Sequence, residues 1–245
     1  VETDGGHGRA RAGISILRVR GPGRQRYVVV EGVIGVGKTT LVGQLARRLG
    51  GRTVLEEFEE NPFLPGFYRD RRAHALSTQL FFLMSRFRQQ EQLAQGDLFQ
   101  QTTISDYLFD KDRIFALLTL DATELSIYER LFDVLRPQVP TPDLVVFLKA
   151  DHETVMERIR RRGRSYELDM DPEYIRGLAD AYVRFFQSFR LCPVLTIDST
   201  RLDFRSEGAA LDGVVEAALG GALPERLSAA TGDGREQTLA LPGLV

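Results

Sequence analysis

The stretch Gly32-Val33-Ile34-Gly35-Val36-Gly37-Lys38-Thr39-Thr40 follows directly on the apolar run Tyr27-Val28-Val29-Val30-Glu31. Gly32 to Thr39 fits G-x-x-x-x-G-K-[ST], a phosphate cradle when a strand precedes it and a helix follows. Both conditions hold. Residues 27–31 are continuous and β-branched, as in a strand buried on both faces. Residues 39–49 have helical spacing and are closed by Gly50 and Gly51. In such a cradle the glycines let successive backbone N–H groups turn inward around phosphate oxygens. Lys38 reaches the terminal phosphates, and the Thr39 hydroxyl binds Mg²⁺. Residues Gly32 through Thr40 are therefore expected to hold a nucleoside triphosphate and its metal.

Working outward, strands alternate with helices. Strands are expected at 52–58, 102–105, 143–150 and 193–198. Helices are expected at 72–95, 109–120, 124–135, 152–162 and 172–189. In the first of these, Leu76, Leu80, Leu83, Met84 and Phe87 recur at helical spacing. Strand–helix alternation means an α/β fold, a parallel sheet covered on both faces. Ligands then bind beyond the carboxyl ends of the strands. Gly32, Glu56, Asp106 and Lys149 fall at or just past such ends.

Residues 1–25, rich in Gly and Arg, lack a period and read as a poorly ordered extension. Residues 206–245 read as a C-terminal helix and tail, leaving 26–205 as the domain proper. The chain has 245 residues, enough for one α/β domain. The formal net charge of −2 supplies no field to gather nucleic acid or acidic membrane. No apolar run approaches the roughly 20 residues needed to span a bilayer. The single cysteine, Cys192, excludes an internal disulfide framework and reads as a small buried hydrophobe. A cytoplasmic protein is expected, without nucleic-acid or membrane partners.

The cradle does not name the reaction. A guanine-reading switch would carry Asn-Lys-x-Asp, which does not occur. A motor would end a buried strand in Asp-Glu, whereas the strongest candidate, 143–150, begins with Asp143 and ends in Lys149-Ala150. Transfer to a small acceptor remains. In 157–167, Arg158 and Arg162 share a helix face at i, i+4, and Arg164 follows Gly163. On spacing alone, three guanidinium groups at a flexible joint fit a solvated basic helix face as well as a lid. With the cradle upstream, the expected reading is a lid that can neutralise charge on a transferring phosphoryl group, an effect worth roughly 10³–10⁵ in rate.

Together, GVIGVGKTTL, EEFEENPFL, FYRD, TQLFFLMSRFRQQ, SDY, DLVVFLKA and ERIRRRGRSYE resemble the deoxyribonucleoside kinases. The similarity is greatest to the bacterial deoxyguanosine/deoxyadenosine kinase branch and covers roughly 26–205. It implies a P-loop kinase sandwich of three layers, with a five-stranded parallel sheet. It also implies ATP and Mg²⁺, a deoxynucleoside acceptor and a homodimer. Glu56 matches the family's catalytic base, which takes the proton of the nucleoside 5′-hydroxyl. Glu57, Glu59 and Glu60 read as solvated neighbours. Tyr68 and Glu167 match the pair on the deoxyribose 3′-hydroxyl. Gln79 and Arg86, two helical turns apart, match base-reading positions, and Phe115 matches an aromatic stacked on the base.

The sequence departs from the family at Ser105-Asp106-Tyr107. Many members have Asp/Glu-Arg-Ser, whose acid serves the metal and whose arginine touches phosphate and the catalytic glutamate. Asp106 keeps the acid, as a metal or substrate ligand. Tyr107 removes the arginine, and Lys111 or Arg113 is a possible replacement. The Asp-Tyr variant resembles the deoxyguanosine kinase subgroup, and an Asp112 facing the base would accept from guanine N1–H and N2–H₂. Deoxyguanosine is the expected acceptor, with deoxyadenosine as an alternative. The competing readings are a thymidylate-kinase-like monophosphate kinase and a non-catalytic nucleotide-binding regulator.

Overall fold

The computed structural model describes residues 26–57, 60–94, 102–164, 167, 170–202, 204, 209–218 and 237–239. The extension expected at 1–25 and most of the tail lie outside the described residues. The valines of β1 (Arg26–Gly32) are fully buried and form the middle of the sheet. On one side β1 pairs with β3 (Thr102–Ser105), which pairs with the short edge strand β2 (Arg52–Val54). On the other side come β4 (Leu144–Lys149), β5 (Val194–Asp198) and β6 (Gln237–Leu239). All pairings are parallel, in the order β2-β3-β1-β4-β5-β6. The five expected strands are present. The three-residue β6, from the segment read as tail, adds a sixth at the edge.

The chain leaves β1 towards β2 and β3, then crosses to β4. The strand order therefore reverses at β1, which is where an open α/β sheet has its ligand crevice. Helix α1 (Lys38–Leu49) starts there. Its N-cap, Gly37, has φ 110° and offers no side-chain cap, so first-turn N–H groups are left to a ligand.

β2 ends three residues into the expected 52–58, for a local reason. Asp106 N–H donates to the Val54 carbonyl at 3.2 Å, the last rung of the ladder. Beyond it side chains take over. Gln89 Nε2 donates to the Leu55 carbonyl at 3.1 Å, and Glu56 N–H donates to Asp106 Oδ1 at 2.8 Å. Glu57 and Glu60 are exposed, as expected of solvated carboxylates; Glu59 lies outside the described residues.

Two elements then follow β2. A short helix absent from the sequence reading, α2 (Leu64–Arg69), carries Tyr68, and the long α3 (Arg71–Ala94) carries Gln79 and Arg86. The expected 109–120 helix begins as one 3₁₀ turn, Phe109–Lys111, and continues as α4 (Asp112–Thr119). A capping box, Asp121 with Glu124, starts α5 (Ala122–Leu135). After β4, Asp151 caps α6 (His152–Arg162), which ends at Gly163 in the left-handed conformation. Asp171 and Pro172 open α7 (Pro172–Ser188). Leu211, Val214 and Ala218 of α8 (Ala209–Ala218) join the main core. No helix among the described residues is long and apolar enough to cross a membrane.

The cradle's first glycine is a packing requirement whatever the cradle holds. A Cβ on Gly32 would sit 2.4 Å from the Leu148 carbonyl oxygen of the neighbouring strand. Gly32→Ala is expected to lower Tm by about 5–10 °C in a thermal melt, since backbone cannot yield as a flexible side chain can.

Candidate active site

A cavity of about 740 Å³ runs from the cradle, past Glu56, to Tyr68, Gln79 and Phe115. At the cradle Lys38 Nζ donates to the carbonyls of Gly32, at 2.7 Å, and Val33, at 3.3 Å. Burial depresses the Lys38 pKa; Glu31 opposes this and Lys111 adds to it.

Asp106, at the end of β3, joins the two halves of the cleft. Its Oδ2 accepts from the Thr39 hydroxyl at 2.9 Å and its Oδ1 from the Glu56 backbone N–H at 2.8 Å. The Glu56 side chain in turn meets two buried cations. Arg86 Nε donates to Oε1 at 2.8 Å and Arg86 Nη2 to the same oxygen; Lys111 Nζ donates to Oε2 at 2.6 Å. Burial pushes this carboxyl upward, but Arg86 and Lys111 together outweigh it and hold it far below the usual carboxylate range.

Tyr107 is fully buried, and its hydroxyl accepts from Gln90 Nε2 at 3.2 Å, away from Glu56. Of the two expected replacements for the missing arginine, Lys111 reaches Glu56. Arg113 points outward to Glu129 at 2.7 Å.

The acceptor residues divide. Tyr68, Gln79, Arg86, Phe115 and Glu167 all line the cavity. Gln79 is 2% exposed, and its Nε2 donates to the Thr119 hydroxyl at 3.4 Å. Phe115 lies edge-on to Tyr182, with ring centroids 6.3 Å apart. Asp112 requires a correction. It is fully buried, does not form the cavity wall, and pairs through Oδ1 with Arg86 Nη1. Its place in the first turn of α4 sets it behind the guanidinium, so it orients Arg86 instead of facing a base.

The lid arginines also divide. Arg162 clamps Glu167 through Nε at 3.0 Å and Nη2 at 2.6 Å, and Arg164 lies 3.6 Å from the same carboxylate. Arg158 lines the cavity, yet its guanidinium donates to the carbonyls of Val36 (2.9 Å), Ser199 (2.8 Å) and Leu202 (3.2 Å). Through these bonds it fastens the cradle to the end of β5.

Sequence reasoning passed over Glu31. Wholly buried, it accepts from Gly32 N–H at 2.9 Å, Leu108 N–H at 2.7 Å and the Tyr182 hydroxyl at 3.0 Å. An acid interrupting a run of valines was its signal. Phe82 and Arg161, inside quoted motifs but not singled out there, and Tyr174, outside any motif, also line the cavity.

A nucleotide cradle and a polar pocket thus share one cleft, with a carboxylate between them. A family model, Deoxynucleoside kinase, matches residues 28–218. The chain belongs to the deoxynucleoside kinase family. Its kinase relatives include the deoxyadenosine/deoxycytidine kinase of Bacillus subtilis, 32% identical over 79% of this chain and 91% of that one. The deoxyguanosine kinase of the same organism is 33% identical over 73% and 88%. Among solved structures, the deoxyadenosine kinase of M. mycoides with bound dATP superposes with a TM-score of 0.66. It covers 80% of this chain and all of that one at 23% identity, a likeness of fold. The expected P-loop kinase sandwich is the fold observed, and the kinase is a phosphotransferase.

The arginine division gives a contrast. Arg158→Ala removes the donor from three carbonyls and is expected to lower Tm by about 5–10 °C. Arg162→Ala is expected to shift Tm less and to lower kcat by about 10² or more. Melting curves and steady-state rates on both variants check this.

Proposed function

We propose that the kinase transfers the γ-phosphoryl group of ATP to the 5′-hydroxyl of a purine deoxyribonucleoside, in nucleotide salvage. The observation that carries this reading is the position of Glu56. Its carboxylate lines the same cavity as Lys38 and Thr39 on one side and Tyr68, Gln79 and Phe115 on the other. A base there is within one cleft of both the attacking hydroxyl and the phosphoryl group.

Each group then has a task. Tyr68 and Glu167 offer a phenol and a carboxylate to the sugar hydroxyl. Glu56 accepts the proton as the 5′-oxygen attacks in line. Lys38, Lys111 and the lid arginines Arg162 and Arg164 neutralise the γ-phosphoryl oxygens. Thr39 and Asp106 fit Mg²⁺. They supply two hard oxygens 2.9 Å apart, and no cluster of three or more acidic, His or Cys ligands exists among the described residues. Mg²⁺ commonly takes one or two protein oxygens and completes its shell with phosphate and water. Held there, it would supply positive charge to neutralise the donor phosphates.

Glu56 is a weak base while two cations hold it. Donor phosphates compete for Lys111, and each increment of its bond lost to them returns basicity to Glu56. Arg86, already committed to Glu56 and Asp112, is not a free cation for an acceptor phosphate, which favours a neutral nucleoside over a monophosphate. With Asp112 off the cavity wall, the expected argument for guanine loses its support, and the proposal is purine without a choice of base. Leu117, Leu118, Ile127 and Val134, exposed on α4 and α5, suit the expected homodimer face. Activity in the cytoplasm is part of the same proposal.

The test is phosphoryl transfer from labelled ATP with Mg²⁺ to the four deoxynucleosides, their ribonucleosides and their monophosphates. Label is expected in a purine deoxynucleoside monophosphate; label only in diphosphates would overturn the reading. Glu56→Ala is expected to lower kcat by about 10²–10⁴ with ATP binding retained. Near-normal kcat in that variant would remove Glu56 as the base.

Lys111→Met separates its two roles. Loss of a cation from the phosphoryl group is expected to lower kcat by about 10²–10³. Glu56, whose folded pKa is depressed, is ionised at all pH values above it. Removing Lys111 raises that pKa, so the acidic limb of the kcat/KM profile moves to higher pH. An unmoved limb would show that Lys111 does not control the base.

A further inference from the structure

Resting on the proposed kinase reading, with Gln79 reading the base as the resemblance implies, the geometry points to Thr119 as a positioning residue that sets base preference. It does so by fixing which way round the Gln79 amide sits, and it thereby favours a 6-aminopurine over a 6-oxopurine. Thr119 lies in the last turn of α4 and does not line the cavity, so it acts only through Gln79.

The hydroxyl of Thr119 has one proton. It is donated to the Phe115 carbonyl, one helical turn back, at 2.7 Å. Toward Gln79 the hydroxyl oxygen therefore offers only lone pairs. The amide must present Nε2 to it, and that contact is 3.4 Å. The opposite orientation would set carbonyl lone pairs against hydroxyl lone pairs. Gln79 Oε1 is left wholly buried with no partner among the described residues, in a side chain that lines the cavity. A buried acceptor without a donor is unfavourable, and a ligand N–H removes the defect.

Nε2 keeps one proton beyond the one facing Thr119. Gln79 thus offers an acceptor, Oε1, beside one donor. Adenine answers with its 6-amino donor beside the N1 acceptor. Hypoxanthine and guanine reverse that order: O6 accepts and N1–H donates. In the same stacked pose on Phe115, a 6-oxopurine would set oxygen against Oε1 and N1–H against the amide N–H. This preference is opposite to the guanine expected from the sequence. That expectation needed an acid facing the base, and Asp112 faces Arg86 instead.

The discriminating pair is 2′-deoxyadenosine and 2′-deoxyinosine, which differ only along this edge. Their kcat/KM values are compared for the wild type, Thr119→Val and Thr119→Ser, with nucleoside binding measured by calorimetry. Valine keeps the shape without hydrogen-bonding capacity; serine keeps the hydroxyl. The wild type is expected to favour deoxyadenosine at least about tenfold, the scale of one satisfied against one opposed hydrogen bond. In Thr119→Val that ratio is expected to fall to about two or less, through the KM of both nucleosides, with kcat for deoxyadenosine little changed. Thr119→Ser is expected to retain the wild-type ratio.

An unchanged ratio in Thr119→Val, or a wild type that favours deoxyinosine, overturns the inference while leaving the kinase reading intact. Loss of kcat with both nucleosides in Thr119→Val and Thr119→Ser alike marks Thr119 as merely structural and also overturns it. If the wild type neither binds nor phosphorylates either nucleoside, the inference and the proposed acceptor class fail together.

Discussion

The Asp106 carboxylate holds the two ends of the cleft in register. One oxygen takes the Thr39 hydroxyl of the cradle; the other takes the backbone N–H of Glu56. The second bond matters because β2 has already stopped pairing at Val54. Without Asp106, nothing in the sheet ladder would fix where Glu56 points. A side chain at the end of one strand thus extends the next strand by two residues and aims its carboxylate into the cavity.

Around that anchor the site concentrates charge: the half-buried Glu56 and the buried Asp106 and Asp112 against the half-buried Lys38 and the buried Arg86 and Lys111. Such groups are tolerated only when paired and hydrogen-bonded, and removing one member leaves its partner uncompensated. The arrangement is therefore cooperative. Asp112 orients Arg86, and Arg86 and Lys111 hold Glu56 and keep its carboxyl ionised. Glu31 adds a second tie behind the cradle, linking its first N–H to the chain leading to Lys111 and to Tyr182.

Tyr107 shows how a departure from a family pattern is absorbed. Its ring is buried, and its hydroxyl joins a Tyr27–Gln90–Tyr107 network beneath the site. Burial raises the Tyr27 hydroxyl to about 12 and that of Tyr107 further, so both are neutral donors and acceptors at physiological pH. The cation that the resemblance implies at position 107 has a counterpart four residues on, at Lys111. The 3₁₀ turn Phe109–Lys111 carries the Lys111 side chain back to Glu56. Position 107 and position 111 thus share one task between packing and charge.

Local chemistry made the sheet, the cradle and the alternation of helices legible. A valine run before glycines, a Gly-Lys-Thr turn ahead of a helix and the paired Gly50-Gly51 that close it act within a few residues, so a linear reading suffices. The strand ends also identified Glu56 and Asp106, because a parallel sheet delivers its carboxyl ends to one edge whatever the loops do. Which groups meet at that edge depends on contacts between residues far apart in the chain. The reach of Lys111 over Arg113, the retreat of Asp112 behind Arg86, the fastening of Val36 by Arg158 and the orientation of the Gln79 amide by Thr119 are all of this kind. Residue types and their spacing determined the phosphate cradle and the parallel α/β sheet around it, and the resemblance of the motifs pointed to the deoxynucleoside kinase family. The direction of each polar group was decided only by the packed structure, where burial makes every unmatched donor or acceptor unfavourable and so selects one pairing among many.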